Sequence, residues 1–143
     1  MTIKIYSETG EVPVYQTDGA AAFDLVVTKH MVLSPKSKNL IPTGLYMAIP
    51  EGYYLSIVPR SGLSFRSNLH IPNTPGTIDS DYRGEIKIMI ENTGSFADEV
   101  RAGERIAQGI IKKYEKVEFE KVNSIEELGT TDRKGGFGST GIR

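Results

Sequence analysis

The chain has no cysteine, no tryptophan and only two histidines, His30 and His70. Without thiols it can form no disulfide framework, no thiolate metal site and no cysteine nucleophile. Two imidazoles are too few for a histidine-rich zinc centre. An excess of either charge is also lacking: 17 basic side chains face 18 acidic ones, a formal net charge of −1. That balance argues against a general polyanion binder, which presents a basic face, so nucleic acid is not an expected partner. No apolar run approaches the ~20 residues that cross a bilayer, and Met1-Thr2-Ile3-Lys4 opens no signal peptide. No membrane association is expected, and the expected compartment is cytoplasmic. At 143 residues the chain is expected to form one domain over 1–143. A lone monomer of that size buries only ~70% of its unfolded surface.

Long amphipathic helices are missing as well. Short runs rich in β-branched and aromatic residues alternate with turn signals, the pattern of an all-β sandwich or barrel. Strands are expected at Ile3–Tyr6, Leu45–Ile49, Tyr54–Val58, Ile86–Glu91, Ile106–Tyr114 and Val117–Lys121. In the clearest of them Ile86, Ile88 and Ile90 recur at period 2 and define one buried face. Turns are expected at Pro42-Thr43-Gly44, Pro50-Glu51-Gly52, Asn92-Thr93-Gly94 and Ala102-Gly103. Two short helical turns fit Ser61–Ser67 and Ser124–Leu128, the second with Ser124 and Glu127 in capping-box spacing.

What the chain does have in quantity is glycine, 15 residues, with five of them from Gly129 onward. In the stretch from Thr130 to Gly141, Phe137 is the only large apolar side chain, so this tail cannot bury itself. Residues 130–143 are therefore expected to be a mobile arm that orders on a ligand or partner. Gly136-x-Gly138-x-x-Gly141 matches a dinucleotide fingerprint in letters only, because no helix or downstream acid follows it. The shared physics survives: glycines admit phosphate oxygens to backbone N–H groups, Ser139 and Thr140 add hydroxyls, and Arg133 and Lys134 add charge. Phe137 would supply an aromatic face for a flat group.

Other stretches carry chemistry but are ambiguous singly. Asp79-Ser80-Asp81-Tyr82-Arg83-Gly84 starts like a calcium loop, but Arg83 and Ile90 stand where ligands belong. It reads either as a polar hairpin turn or as a general base beside a phosphate-rich substrate. Pro59-Arg60-Ser61-Gly62 reads either as a structural turn or as an anion grip of hydroxyl, guanidinium and main-chain N–H. Ala20–Leu25 and Arg105–Gln108 pass for ordinary strand segments.

Taken in order, Ala20–Leu25, Pro59–Leu69, Asn73–Glu85, Gly103–Gln108 and Arg133–Gly141 resemble the five motifs of the homotrimeric dUTP pyrophosphatase (dUTPase) family. The resemblance implies a jelly-roll-like β subunit in a threefold homotrimer, each active site shared by three subunits and closed by a glycine-rich arm. It implies hydrolysis of dUTP to dUMP and pyrophosphate, which keeps uracil out of DNA and supplies dUMP for thymidylate synthesis. Mg²⁺ would be the cofactor, held mainly on the substrate phosphates. By the same resemblance Asp79 is the general base for the attacking water. Tyr82 packs on deoxyribose, Asn73 and the backbone of Gly76, Thr77 and Ile78 read uracil, and Lys87 is a further substrate contact. Arg60, Ser61, Gly62 and Gln108 meet phosphate, and Asp24 and Gln108 touch the Mg²⁺ hydration shell through water. On the arm, Phe137 stacks on uracil, Arg133, Ser139 and Thr140 hold the γ-phosphate, and Gly138 is a further substrate contact. The chain departs from the family pattern at Ala22, Phe23, Arg66 and Gly109, and Arg133 to Phe137 is one residue shorter than the commonest spacing, so that either Arg133 or Lys134 is the γ-phosphate contact. Two alternatives share the scaffold: a dCTP deaminase-like enzyme, and a nucleotide-gated regulator with an added protein partner.

Overall fold

The computed structural model describes residues 1–137 and 139–141. Its backbone is nearly all strand and loop: β1 (Lys4–Ser7), β2 (Phe23–Val26), β3 (Met31–Leu33), β4 (Ser37–Ala48), β5 (Tyr53–Pro59), β6 (Leu69–His70), β7 (Gly76–Ile78), β8 (Ile86–Asn92), β9 (Asp98–Val100) and β10 (Arg105–Lys113). Among the described residues the helical pieces are a short α-helix, α1 (Ser61–Arg66), and a 3₁₀ turn at Ile125–Leu128. Two four-stranded antiparallel sheets, β1-β4-β8-β6 and β2-β10-β5-β7, are accompanied by the two-stranded β3-β9 ribbon. Both four-stranded sheets feed one core: Leu25, Leu55 and Ile106 from one meet Ile41, Ile86, Ile88 and Ile90 from the other, all essentially inaccessible. This is the jelly-roll-like double-sheet solution, which hides both apolar faces without long helices. Among the described residues no helix is long and apolar enough to cross a membrane.

The alternation in Ile86–Ile90 does what its period implies, burying the isoleucines and leaving Lys87 exposed. Strand β4 is longer than Leu45–Ile49 suggests. It starts at Ser37 and survives a register shift between Pro42 and Leu45, where Gly44 takes a positive φ of 65°. Both short helical turns form, and the second carries the full Ser124–Glu127 capping box.

Val117–Lys121 is a correction. Its alternation reads as a strand, yet it forms none; Val117 and Phe119 are exposed, and the β10 ladder stops at Lys113. Periodicity specifies which face a strand buries, but it does not supply an edge to pair with.

Two departures from the family pattern explain each other. Phe23 of β2 lies directly opposite Gly109 of β10. A Cβ on Gly109 would come 2.5 Å from the Phe23 ring and 2.9 Å from Leu55 Cδ1. The ring of Phe23 fills the volume that a larger residue at 109 would occupy, a cross-strand exchange of size.

Candidate active site

The motif residues on or beside the sheet β2-β10-β5-β7 fall into two groups at opposite ends of β5, while Lys87 stands on β8 of the other sheet. The first group forms where β2, β10 and β5 lie side by side. Antiparallel register places Gln108 opposite Asp24 and Ala107 opposite Pro59. Three stretches far apart in sequence therefore meet around one carboxylate. The Asp24 side chain is only 5% exposed, and Arg60 Nε reaches its Oδ1 at 3.1 Å. Arg105 Nη1 lies 3.4 Å from Oδ2. Gln108 Nε2 stands 3.5 Å from Oδ1. Arg60 Nη1 also donates to the Arg105 carbonyl at 3.0 Å, tying the two basic residues together. A buried carboxylate needs such partners, since desolvation of an unpaired charge costs several kcal/mol.

Arg60 then caps α1. The first helical hydrogen bond runs from Ser64 N–H to the Arg60 carbonyl, so the N–H groups of Ser61, Gly62 and Leu63 have no partner within the helix. Ser61 and Gly62 are exposed. The Asp24 cluster thus holds a guanidinium beside exposed main-chain donors and a hydroxyl, a set suited to oxyanions. Arg105 was not among the site residues expected from sequence. Its clue was its position at the start of β10, three before Gln108 on the strand that faces Asp24.

The second group lies at the other end. Strand β7 pairs with β5 as Ile57–Gly76, Ser56–Thr77 and Leu55–Ile78, and continuing that register sets Asp79 opposite Tyr54. Asp79 and Thr77 line a cleft of about 740 Å³ together with Tyr54, Ser80, Tyr114 and Lys116. The Asp79 carboxylate makes no hydrogen bond among the described residues, whereas its carbonyl accepts from Tyr82 N–H at 3.2 Å and closes the turn. The Tyr82 ring folds back over Gly84, where a Cβ would sit 2.4 Å from Oη, and Oη donates to the Glu85 carbonyl at 2.9 Å. Lys87 faces out from β8 with Nζ 3.6 Å from Glu85 Oε2. Asn73 is exposed, and its Nδ2 would lie 3.6 Å from a Cβ built on Gly76. The buried backbone of Gly76 therefore runs directly beneath an amide.

The described residues of the arm contribute to neither group within this chain. Its described residues are exposed, Phe137 wholly so, and Arg133 Nε donates only to the nearby Gly135 carbonyl at 3.0 Å. Ser139 N–H and the Gly136 carbonyl form a local turn at 2.7 Å, and Thr140 is exposed. Gly138 lies outside the described residues.

Tyr54 and Arg60 are six residues apart along an extended strand, about 20 Å, so the base and the oxyanion donors of one chain do not converge. Neither Arg60, Ser61 nor Gln108 lines the Asp79 cleft. Among the described residues no three His, Asp or Glu side chains converge as a metal cage. The Asp24 oxygens are turned to arginine and glutamine. The donor set fits a cation that brings its own phosphate and water ligands, which is the habit of Mg²⁺.

A dUTPase family model matches residues 8–141. The deoxyuridine 5′-triphosphate nucleotidohydrolase of Wolinella succinogenes is 46% identical over 130 residues, covering 91% of this chain and 86% of its own. That of Finegoldia magna is 44% identical over 144 residues, covering 99% of both chains. Among solved structures, the Staphylococcus bacteriophage 80alpha dUTPase with dUPNHPP matches with a TM-score of 0.88 at 27% identity, covering 99% of each chain. A point mutant of the dUTPase from phage phi11 of S. aureus, described with a structural Mg(II) ion, has a TM-score of 0.79 at 25% identity over 88% of this chain and 99% of its own. Motif order, double-sheet fold, sequence identity and backbone superposition all lead to one assignment: the chain belongs to the dUTPase family.

Proposed function

We propose that the chain hydrolyses dUTP to dUMP and pyrophosphate, and that Asp79 is its general base. The observation that carries the role of Asp79 is its exposed carboxylate, unengaged by any other described side chain, on the loop that follows the Gly76–Ile78 strand and also presents Tyr82. A carboxylate free of internal partners is able to orient a water and take its proton. The water oxygen bonds to the α-phosphorus as the bond from that phosphorus to the α–β bridging oxygen breaks. The proton passes to Asp79 and pyrophosphate leaves.

Tyr82 packs against deoxyribose, and its ring leaves no space for a ribose 2′-hydroxyl. Asn73 and the main chain of Gly76, Thr77 and Ile78 hydrogen-bond the uracil edge, with Lys87 on the neighbouring strand. Cytosine reverses donor and acceptor at that edge, and mismatched buried polar groups can cost ~10⁴-fold in specificity. Arg60, Ser61, Gly62 and Gln108 grip the phosphates. Asp24 orients Arg60 and, with Gln108, faces the hydration shell of a phosphate-bound Mg²⁺. That ion would neutralise phosphate charge.

The active form is a homotrimer. The ~20 Å of strand between Tyr54, beside Asp79, and Arg60 supports this reading, because one substrate would meet both groups most readily if they came from different copies. The exposed Phe137 also supports it. Phe137 would stack on uracil from another copy, with Arg133, Gly138, Ser139 and Thr140 over the γ-phosphate, excluding water as the arm closes.

Pyrophosphate release measured across dUTP, UTP, dTTP and dCTP, with and without Mg²⁺, tests the function. Release from dUTP alone, and only with Mg²⁺, is expected. Ammonia from dCTP would instead identify a deaminase, and dUTP-dependent protein binding without turnover would identify a regulator.

A further inference from the structure

Glu85 bonds to two elements and to the tyrosine of its own loop, the connection from β7 to β8. Its half-buried carboxylate accepts Gly44 N–H through Oε1 at 3.1 Å and lies 3.6 Å from Lys87 Nζ through Oε2. Its main-chain carbonyl accepts the Tyr82 hydroxyl at 2.9 Å. Gly44 belongs to the irregular stretch of β4 between Pro42 and Leu45, where the ladder to β8 shifts register. The buried Thr43 hydroxyl donates to the Ile86 carbonyl at 2.5 Å in the same stretch. The β4 irregularity is therefore fastened twice to the start of β8, once by Thr43 and once by Glu85. The Tyr82 ring is supported on two sides by its own loop. Gly84 lies beneath it, with Cζ 2.6 Å from where a Cβ would be, and the Glu85 carbonyl meets its hydroxyl.

We propose that Glu85 is a positioning residue for sugar discrimination: by tying its own main chain to Gly44 of β4, it fixes the carbonyl that holds the Tyr82 ring in place. This rests on the reading of Tyr82 as the ring that packs on deoxyribose. A ring excludes a 2′-hydroxyl by contact only while it cannot retreat, so the residue that immobilises its tip sets the selectivity. The same carboxylate restrains Lys87, coupling sugar and base recognition through one residue at the start of β8.

The test compares kcat/KM for dUTP and UTP in the wild type, Glu85→Ala, Glu85→Gln, Tyr82→Phe and the double variant Glu85→Ala/Tyr82→Phe, with thermal melts of each. Glu85→Ala is expected to lower the dUTP:UTP ratio about two- to tenfold, the range of one lost hydrogen bond. Glu85→Gln keeps an acceptor for Gly44 N–H and is expected to stay within about twofold of wild type. The double variant is expected to lose no more than Glu85→Ala alone, since both changes break one linkage. If Glu85→Ala does not fold, Glu85→Asp, with a shorter reach, takes its place with the same expected loss. A folded Glu85→Ala or Glu85→Asp enzyme with the wild-type ratio, or additive losses in the double variant, would overturn the positioning role alone. A wild type that hydrolyses dUTP and UTP alike would overturn the Tyr82 reading and this proposal with it.

Discussion

Asp24 and Asp79 are carboxylates on the same sheet, each in a motif stretch, and their surroundings assign them opposite work. Asp24 is buried, with Arg60, Arg105 and Gln108 turned to its oxygens. Asp79 is exposed on a turn, and no described side chain hydrogen-bonds to it. The first acts on the protein: it gathers three strands' worth of polar groups and aims an arginine toward the α1 N-terminus. The second is left for the substrate. Partner geometry, rather than residue type or motif membership, separates a carboxylate engaged by the protein from one left open.

The comparison breaks first at Asp79. Asp79→Asn is expected to lower kcat by ~10²–10⁴, the worth of a positioned base, with KM for dUTP little changed. Steady-state pyrophosphate release reads this directly. Next comes the arm: truncation after Asp132 is expected to leave a folded protein with kcat reduced on the order of 10²-fold, the scale of lost substrate positioning. An unchanged far-ultraviolet spectrum beside that loss would separate closure from folding.

Asp24→Ala should show the contrasting signature. It leaves Arg60 and Arg105 facing each other across an apolar gap. Because both arginines are partly exposed, the expected cost is about 1–3 kcal/mol of stability rather than the full penalty of a buried unpaired charge. Urea unfolding measures it, and kcat/KM is expected to fall as Arg60 loses its orientation. The smallest effect lies away from both aspartates, at Glu99. Hydrogen bonds from His30 first, and then from Arg101, hold its carboxyl below its ordinary value of about 4.5. A lowered folded value means that the unfolded chain binds the proton more readily. The stabilisation is complete above that ordinary value and disappears as pH falls through the lowered one. The Tm difference between wild type and Glu99→Gln should therefore shrink on acidification below pH ~4.5.

Legibility followed the range of the interactions. Strand β8 was plain because Ile86, Ile88 and Ile90 repeat at period 2, and the 3₁₀ turn because Ser124 and Glu127 are close in sequence. Strands β3, β7 and β9 span three residues each, too few to display a period. Val117 and Phe119 display one and still form no strand, since an edge to pair with is a property of the whole fold. The Asp79 loop was readable as one contiguous stretch. The Asp24 cluster draws on positions 24, 60, 105 and 108, which only the β2-β10-β5 register makes neighbours. Nothing local marks the roles of Arg105 and Glu85 for that reason: each acts on a partner distant in sequence, at Asp24 and Gly44.

The division of labour between the two aspartates is tested most directly by a single-turnover experiment on Asp79→Asn, with enzyme in excess over dUTP and Mg²⁺ present. The account predicts dUTP that is bound yet remains intact on the timescale in which the wild type converts it fully to dUMP and pyrophosphate. Conversion by Asp79→Asn at the wild-type rate would contradict it.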